Sequence, residues 1–311
     1  MLVDCTLEAP AALQPLAQAS ARMYPEFVHE LQDESGIQVD LRDQGALVFP
    51  PPEHVYQRPG FTPASLPPAP LTQLEPGLGD PDRPAFFLKE RSVDPRALSA
   101  AALKAAKHRQ VDVSSGTAVT SVLAEGGRVG GAATEKTTYH APVVVNCAGA
   151  WARQIPPADF PTRPVKGQML SVVGAPLQLQ HVIRSPEVYL VPRSDGRVLI
   201  GATVEEAGYD KRTVTSTIQR MHRAAIQMFP DLAKGRVLEA WAGLRPGTPD
   251  DLPILGTTNI GGYFVATGHF RDGILLAPLT AHLMAQVISG IRPDYDLSPF
   301  SSFRFTKELR G

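Results

Sequence analysis

The chain has 311 residues, 43% of them hydrophobic and 20% charged, with a formal net charge of −1. That length suits two domains of roughly 150 residues each, and the composition is that of a globular protein rather than a disordered or fibrous one. The charge supplies no basic surplus for a phosphate backbone, which argues against nucleic acid as a partner, and no apolar run approaches the roughly 20 residues that cross a bilayer.

Cys5 and Cys147 lie far apart in a chain with no secretory leader, so they do not read as a disulfide framework and they suit a reducing cytoplasm. No Cys/His cluster has metal-ligand spacing, and no metal is expected. The first element is EAPAALQPLAQASARMYPEFVHELQDESG, where Leu13, Leu16, Met23, Phe27 and Leu31 recur near helical spacing and Gly36 is a stop. Pro25 should break or kink that helix. VDLRDQGALVF has strand composition. The eleven prolines between residues 50 and 84 point to an extended surface connection with no regular element of any length. Asp94 as a cap and Pro95 at the first helical position start a helix over 95–108.

Short strands follow at QVDVSS, TAVTSVLAE, RVGGAAT and KTTYHA, and then the apolar strand PVVVNCAGAW, in which Cys147 reads as a small buried residue. RPVKGQMLSVV, EVYLVPR and RVLIGATVEE read as antiparallel strands. A helix near 213–229 and the strand LEAWAGL come next, and the chain closes on the strand YFVATG, a loop and the helix in GHFRDGILLAPLTAHLMAQVISG. Segments of βα type therefore lie on both sides of an antiparallel block, which implies a discontinuous nucleotide domain with an inserted sheet domain.

Four stretches carry a resemblance that spans most of the chain: VVVNCAGAWA, RPVKGQML, EVYLVPRSDGRVLIGATVEEAGYD, and WAGLRPGTPDDLPILG with GHFRDGILLAP. Together they resemble the flavin-dependent amino-acid oxidases of the glycine oxidase and D-amino-acid oxidase family. The last pair points to glycine oxidase within it. The resemblance implies an α/β (α+β) fold, an incomplete Rossmann-like FAD-binding domain with an inserted antiparallel-sheet substrate domain. Residues 1–43, 91–154 and 246–296 would form the FAD-binding part, and 44–90 with 160–245 the substrate part. The family opens on a strand, GxGxxG and a helix, then an acid for the ribose. No GxGxxG occurs in these residues, and Met1-Leu2 looks like the family sequence just after its second ribose-phosphate loop, so about the first 50 residues of a member are expected to be missing. The expectation is that this chain alone holds FAD poorly. A mobile Met1, which matches a flavin-side methionine, would add little.

By the same resemblance, Arg245 matches the carboxylate-binding arginine, whose planar guanidinium can give two parallel hydrogen bonds; alone it would read as a surface arginine at a strand end. Tyr189 matches the second carboxylate contact, against the reading of a core aromatic. Val204 matches a substrate-pocket position that is methionine in some glycine oxidases, so the substrate stays open among glycine, sarcosine and a D-amino acid. Arg271, with His269, Phe270, Asp272, Gly273, Ile274 and Leu275, lies where a strand passes into a helix, and free amides at a helix start suit the charge that reduced flavin develops. His269 reads as a structural or flavin-contacting histidine and not a base; Pro278 as a first-turn proline or a tolerated kink. Val119 matches a position whose backbone meets the adenine ring. No cysteine lies near GLRP, so the flavin would be held non-covalently.

The implied reaction oxidises a small amino acid with oxygen, giving a 2-oxo acid, ammonia and hydrogen peroxide. Two other readings stay open: an inactive fragment of such an oxidase, whose strand edges would favour homo-oligomers, and a quinone-linked amino-acid dehydrogenase. The latter would show a membrane patch, and none is visible.

Overall fold

The computed structural model describes residues 10–49, 65–66, 68–174 and 178–305. In chain order these form α1 (Gln14–Ser35), β1 (Leu41–Arg42), β2 (Ala46–Val48), β3 (Ser65–Leu66), α2 (Pro68–Leu74), β4 (Ala85–Leu88), β5 (Ser92–Val93) and α3 (Pro95–His108). A meander, β6 (Val119–Glu125), β7 (Arg128–Thr134) and β8 (Thr138–His140), precedes β9 (Val144–Asn146). The middle of the chain gives β10 (Arg163–Val173), β11 (Val182–Arg184), β12 (Tyr189–Pro192), β13 (Val198–Gly201), α4 (Thr215–Met228) and β14 (Arg236–Gly247). β15 (Ile254–Thr257), β16 (Tyr263–Thr267) and α5 (Gly273–Ile288) complete it.

The largest sheet has eight strands in the order β14-β10-β13-β12-β11-β2-β4-β3. All its pairings are antiparallel except β11 with β2. β9 belongs to a different sheet, parallel to β16, which pairs antiparallel with β15. The mixed α/β architecture expected from the sequence is the one found.

Alternation along the strands gives the large sheet two faces. Leu170, Leu190, Val198 and Ile200 point to one side, where Met221 and Ala225 of α4 close a buried apolar core with Phe229. On the opposite side Val191 and Leu199 gather Met169, Tyr189 and Trp241 around a much smaller cluster. A third core joins α1 to α5 through Leu16, Ala17, Leu275, Leu279 and Leu283.

Both long helices carry an internal proline and run through it. Pro25 removes the N–H that would bond Ala21 O, and Arg91 Nη2 donates to that carbonyl at 2.6 Å. The expected break at Pro25 is therefore absent, because a side chain from elsewhere supplies the lost donor. In α5, Pro278 frees the carbonyl of Ile274, which accepts from the Tyr24 hydroxyl. Ser20 Oγ adds a bond to Leu275 O at 2.6 Å.

Other expectations are corrected. The proline-rich stretch does hold a regular element, α2, since Pro68 and Pro70 fall in its first turn, where a missing N–H costs nothing; residues 50–64 lie outside the described residues. VDLRDQGALVF is two short strands divided at Gly45, whose φ of 77° leaves the β region. QVDVSS forms no strand, and Val111 and Val113 are exposed. β9 stops at Asn146, whose Oδ1 turns to accept from Ala148 N, so Cys147 falls beyond the strand and is exposed rather than buried. The helix over 95–108 forms as read, with Asp94 accepting from the amides of Arg96 and Ala97.

Candidate active site

Arg245 stands on β14 beside the close-packed backbone of β10. A Cβ added to Gly167 would lie 2.6 Å from Arg245 Cζ, so only glycine leaves the guanidinium its place. Arg245 Nη1 donates to Thr203 O at 3.1 Å, and Arg245 forms no ion pair with a carboxylate among the described residues. Burial pushes its pKa down. A half-enclosed guanidinium with donors to spare and no acid beside it is a receptor for an anionic group.

Tyr189 reaches the same place from β12. Gly201 faces it across the β12–β13 pair, and a Cβ there would lie 2.7 Å from the Tyr189 hydroxyl and 3.1 Å from Met169 Cε. The hydroxyl donates to Met169 Sδ at 3.5 Å, a soft acceptor that a better one would displace. Burial pushes the Tyr189 hydroxyl pKa up, opposed by the positive charges of Arg245, Arg271 and Arg193. It is thus a neutral donor inside a positive field.

Arg271 joins from the loop before α5. Phe270 N–H donates to Pro246 O at 3.0 Å, which ties that loop to the residue next to Arg245. Phe270 has a φ of 46°, and the Arg271 guanidinium lies 5.7 Å from its ring centre. Arg271 forms no ion pair with an acid among the described residues, and its charge is felt at both Tyr189 and Arg245. His269 Nε2 lies 3.1 Å from Thr280 Oγ1, and burial pushes its pKa from 6.5 down to about 4. It is neutral at neutral pH, which suits a structural group and not a cation.

The residues present fit a flavin ring on this side. At the head of α5, Gly273, Ile274 and Leu275 occupy the first turn, whose amides have no carbonyl partner within the helix. Such amides suit partial negative charge.

Arg245, Tyr189 and Arg271 are therefore brought together, with Phe270 tied to them through Pro246, while the side chains of Ile274 and Leu275 pack into neighbouring apolar cores. Val204 follows Thr203, the partner of Arg245, and is 51% exposed, which places it at the rim. Val119 stands apart at the exposed start of β6, in the separate meander sheet. Met1 lies outside the described residues.

Sequence reading passed over four contributors. Gly167 and Gly201 are strand-internal glycines, a signal of close approach by another group. Met169 gave no such signal. Arg193 is 4% exposed on the same side of β12 as Tyr189; Nη2 donates to Val93 O at 2.8 Å, while Nε and Nη1 have no hydrogen-bond partner among the described residues. It adds a third positive charge behind the tyrosine.

Residues 4–287 match the family described as FAD dependent oxidoreductase (DAO). The chain is 36% identical over 309 residues to the bifunctional protein ThiO/ThiG of Trichormus variabilis, covering 96% of this chain and 47% of that protein. It thus spans about half the length of that relative. It is 30% identical over 309 residues to the glycine oxidase of Pseudomonas aeruginosa, covering 93% of this chain and 83% of that one. Among solved structures, the glycine oxidase of Geobacillus kaustophilus superposes with a TM-score of 0.90 at 29% identity, covering 97% of this chain and 86% of that one.

Proposed function

This chain belongs to the DAO family of FAD dependent oxidoreductases, and from that premise we propose that it serves the oxidative deamination of glycine or another small amino acid. The observation that carries the proposal is Arg245, a half-enclosed guanidinium without an acid partner among the described residues, beside the hydroxyl of Tyr189 and the charge of Arg271.

A substrate carboxylate would take two parallel bonds from Arg245 and a third from Tyr189, which would leave Met169 Sδ for it. Three contacts at one end of a small molecule fix the direction of its Cα–H. FAD, when bound, supplies the two-electron acceptor for that bond and passes the electrons to oxygen as hydrogen peroxide. Residues 269–275 would hold the ring edge, with α5 amides toward its developing charge. The imine left behind hydrolyses in water to a 2-oxo acid and ammonia. The Cα hydrogen would leave with its electron pair, so that bond calls for no protein base, and burial makes His269, at about 4, a weak one.

Val204 at the rim would set the size of the substrate side chain. The segment after it is held by Tyr209, whose hydroxyl donates to Ala150 O at 2.9 Å and whose ring lies 5.7 Å from that of Trp151. Two domains follow from the same reading: the large sheet with α4 for substrate, and the segments around β9, β16, α1 and α5 for FAD. Among the described residues no helix is long and apolar enough to cross a membrane, and the reading places the activity in the cytoplasm.

The test is peroxide and ammonia release from glycine, sarcosine and D-alanine by the FAD-loaded protein and by Arg245→Ala. Loss of a hydrogen bond to a charged group costs roughly 1.5–3 kcal/mol, so kcat/KM should fall at least about tenfold while FAD affinity holds. Equal kinetics in the two proteins would remove Arg245 from the site.

A further inference from the structure

Resting on the oxidase reading above, we infer that Met169 is a modification site: hydrogen peroxide oxidises its thioether to the sulfoxide, and the sulfoxide oxygen then captures the Tyr189 hydroxyl that would otherwise bind the substrate carboxylate.

The motive is the position of one sulfur. Met169 is partly exposed and lies on the side of the large sheet that carries Arg245 and Tyr189. Its Sδ accepts from the Tyr189 hydroxyl at 3.5 Å. The absence of a side chain at Gly201 lets the hydroxyl and the Met169 methyl group crowd one spot. The other described methionines sit in apolar cores: Met221, Met228 and Met284 are 4%, 9% and 5% exposed, and Met23 packs against the α1–α5 core. Met169 is therefore the described methionine nearest the reaction and among those an aqueous oxidant can reach.

The chemistry balances within the proposed reaction. The sulfur lone pair attacks one peroxide oxygen, the O–O bond breaks and an S–O bond forms. The hydrogen on the transferred oxygen passes to the departing hydroxide, which leaves as water. Sulfur loses two electrons and peroxide gains them, and reduction by a sulfoxide reductase restores the thioether. A thioether is a weak acceptor, so in the reduced protein a carboxylate easily draws Tyr189 away. A sulfoxide oxygen is a strong, polar acceptor projecting from the same sulfur, and it would hold Tyr189 against that competition. Product peroxide would then lower the affinity for the amino acid that generates it.

The experiment has three arms. First, the FAD-loaded protein is titrated with hydrogen peroxide and its peptides weighed. Met169 should gain one oxygen before Met23, Met221, Met228 or Met284, and an unmodified Met169 after Met23 has reacted overturns the inference. This arm uses added peroxide, so it reads the same whether or not the chain oxidises amino acids; failure of the oxidase reading would appear separately, as no peroxide from any amino acid. Second, KM for the amino acid should rise about tenfold on oxidation, the equivalent of one hydrogen bond to a charged group, with a smaller change in kcat, and methionine sulfoxide reductase should reverse it. Third, Met169→Leu keeps the apolar contact without the sulfur, and its KM should be the same before and after peroxide. An equal peroxide-dependent rise in Met169→Leu overturns the inference.

Discussion

The two faces of the eight-stranded sheet are made by the same strands, yet they do different work. On β12, Leu190 points into the core beneath α4, while Tyr189 and Val191 point to the other side and Arg193 follows just past the strand end. On β10, Leu170 and Val172 enter the core while Gly167 and Met169 face Arg245 and Tyr189. The core face is apolar where Leu170, Val172, Leu190 and Ile200 meet α4. The site face keeps three positive charges, two glycines and a sulfur in view of one hydroxyl. Because the side-chain period of a strand is two, a slip of one residue would exchange core for chemistry. The tight core is thus what holds the register that aims Arg245 and Tyr189.

That contrast can be broken first on the core side. Leu190→Ala should cost about 2–5 kcal/mol of stability, the range for a fully buried leucine, read as a lower midpoint in urea. A midpoint shift no larger than that of a surface substitution would mean that this face does not hold the sheet. On the site face the prediction inverts. Gly167→Ala places a methyl group against the flexible end of Arg245, so the guanidinium moves aside at little cost in stability. KM for the amino acid should rise about tenfold, matching one lost charged hydrogen bond, with the urea midpoint nearly unchanged. A large midpoint shift with normal KM would reverse the assignment of that face.

The smallest expected effect is one of pH. His269 titrates near 6.5 when unfolded and at about 4 when folded. The unfolded chain therefore binds the proton first, and the contribution of neutral His269 is complete above about pH 6.5. It is lost as pH falls toward 4, below which it is flat. The full shift would be worth about 3 kcal/mol, and partial exposure of the residue reduces this to about 1–2 kcal/mol. His222 is also pushed down by burial and adds the same sign. The difference between wild type and His269→Asn isolates the effect: their stabilities should diverge at neutral pH and converge toward pH 4. Parallel curves would show that His269 titrates normally.

Much of this was readable in advance, for definable reasons. The antiparallel strands around Tyr189 and Arg245 follow from their periodicity, and the α3 start from Asp94-Pro95, because both signals are local. The gathering of Arg245, Tyr189 and Arg271 on one side was expected through motif resemblance and not through spacing, since 55 residues lie between Tyr189 and Arg245. Gly167 and Gly201 escaped notice because their meaning lies in what faces them across the sheet. Pro25 misled for the same reason, since nothing local says that Arg91 will return to Ala21. Strand QVDVSS failed because composition does not supply a pairing partner.

The repaired prolines have a consequence for descent. Pro25 and Arg91 meet at one carbonyl, as do Pro278 and Tyr24. Replacing Pro25 by alanine would improve α1 as an isolated helix, yet its new N–H would compete for the acceptor that Arg91 uses. Neither member of a pair can drift freely while the other remains. Among descendants of this chain, residues 25 and 91 should change together, and so should 24 and 278, although 66 and 254 positions separate them in sequence.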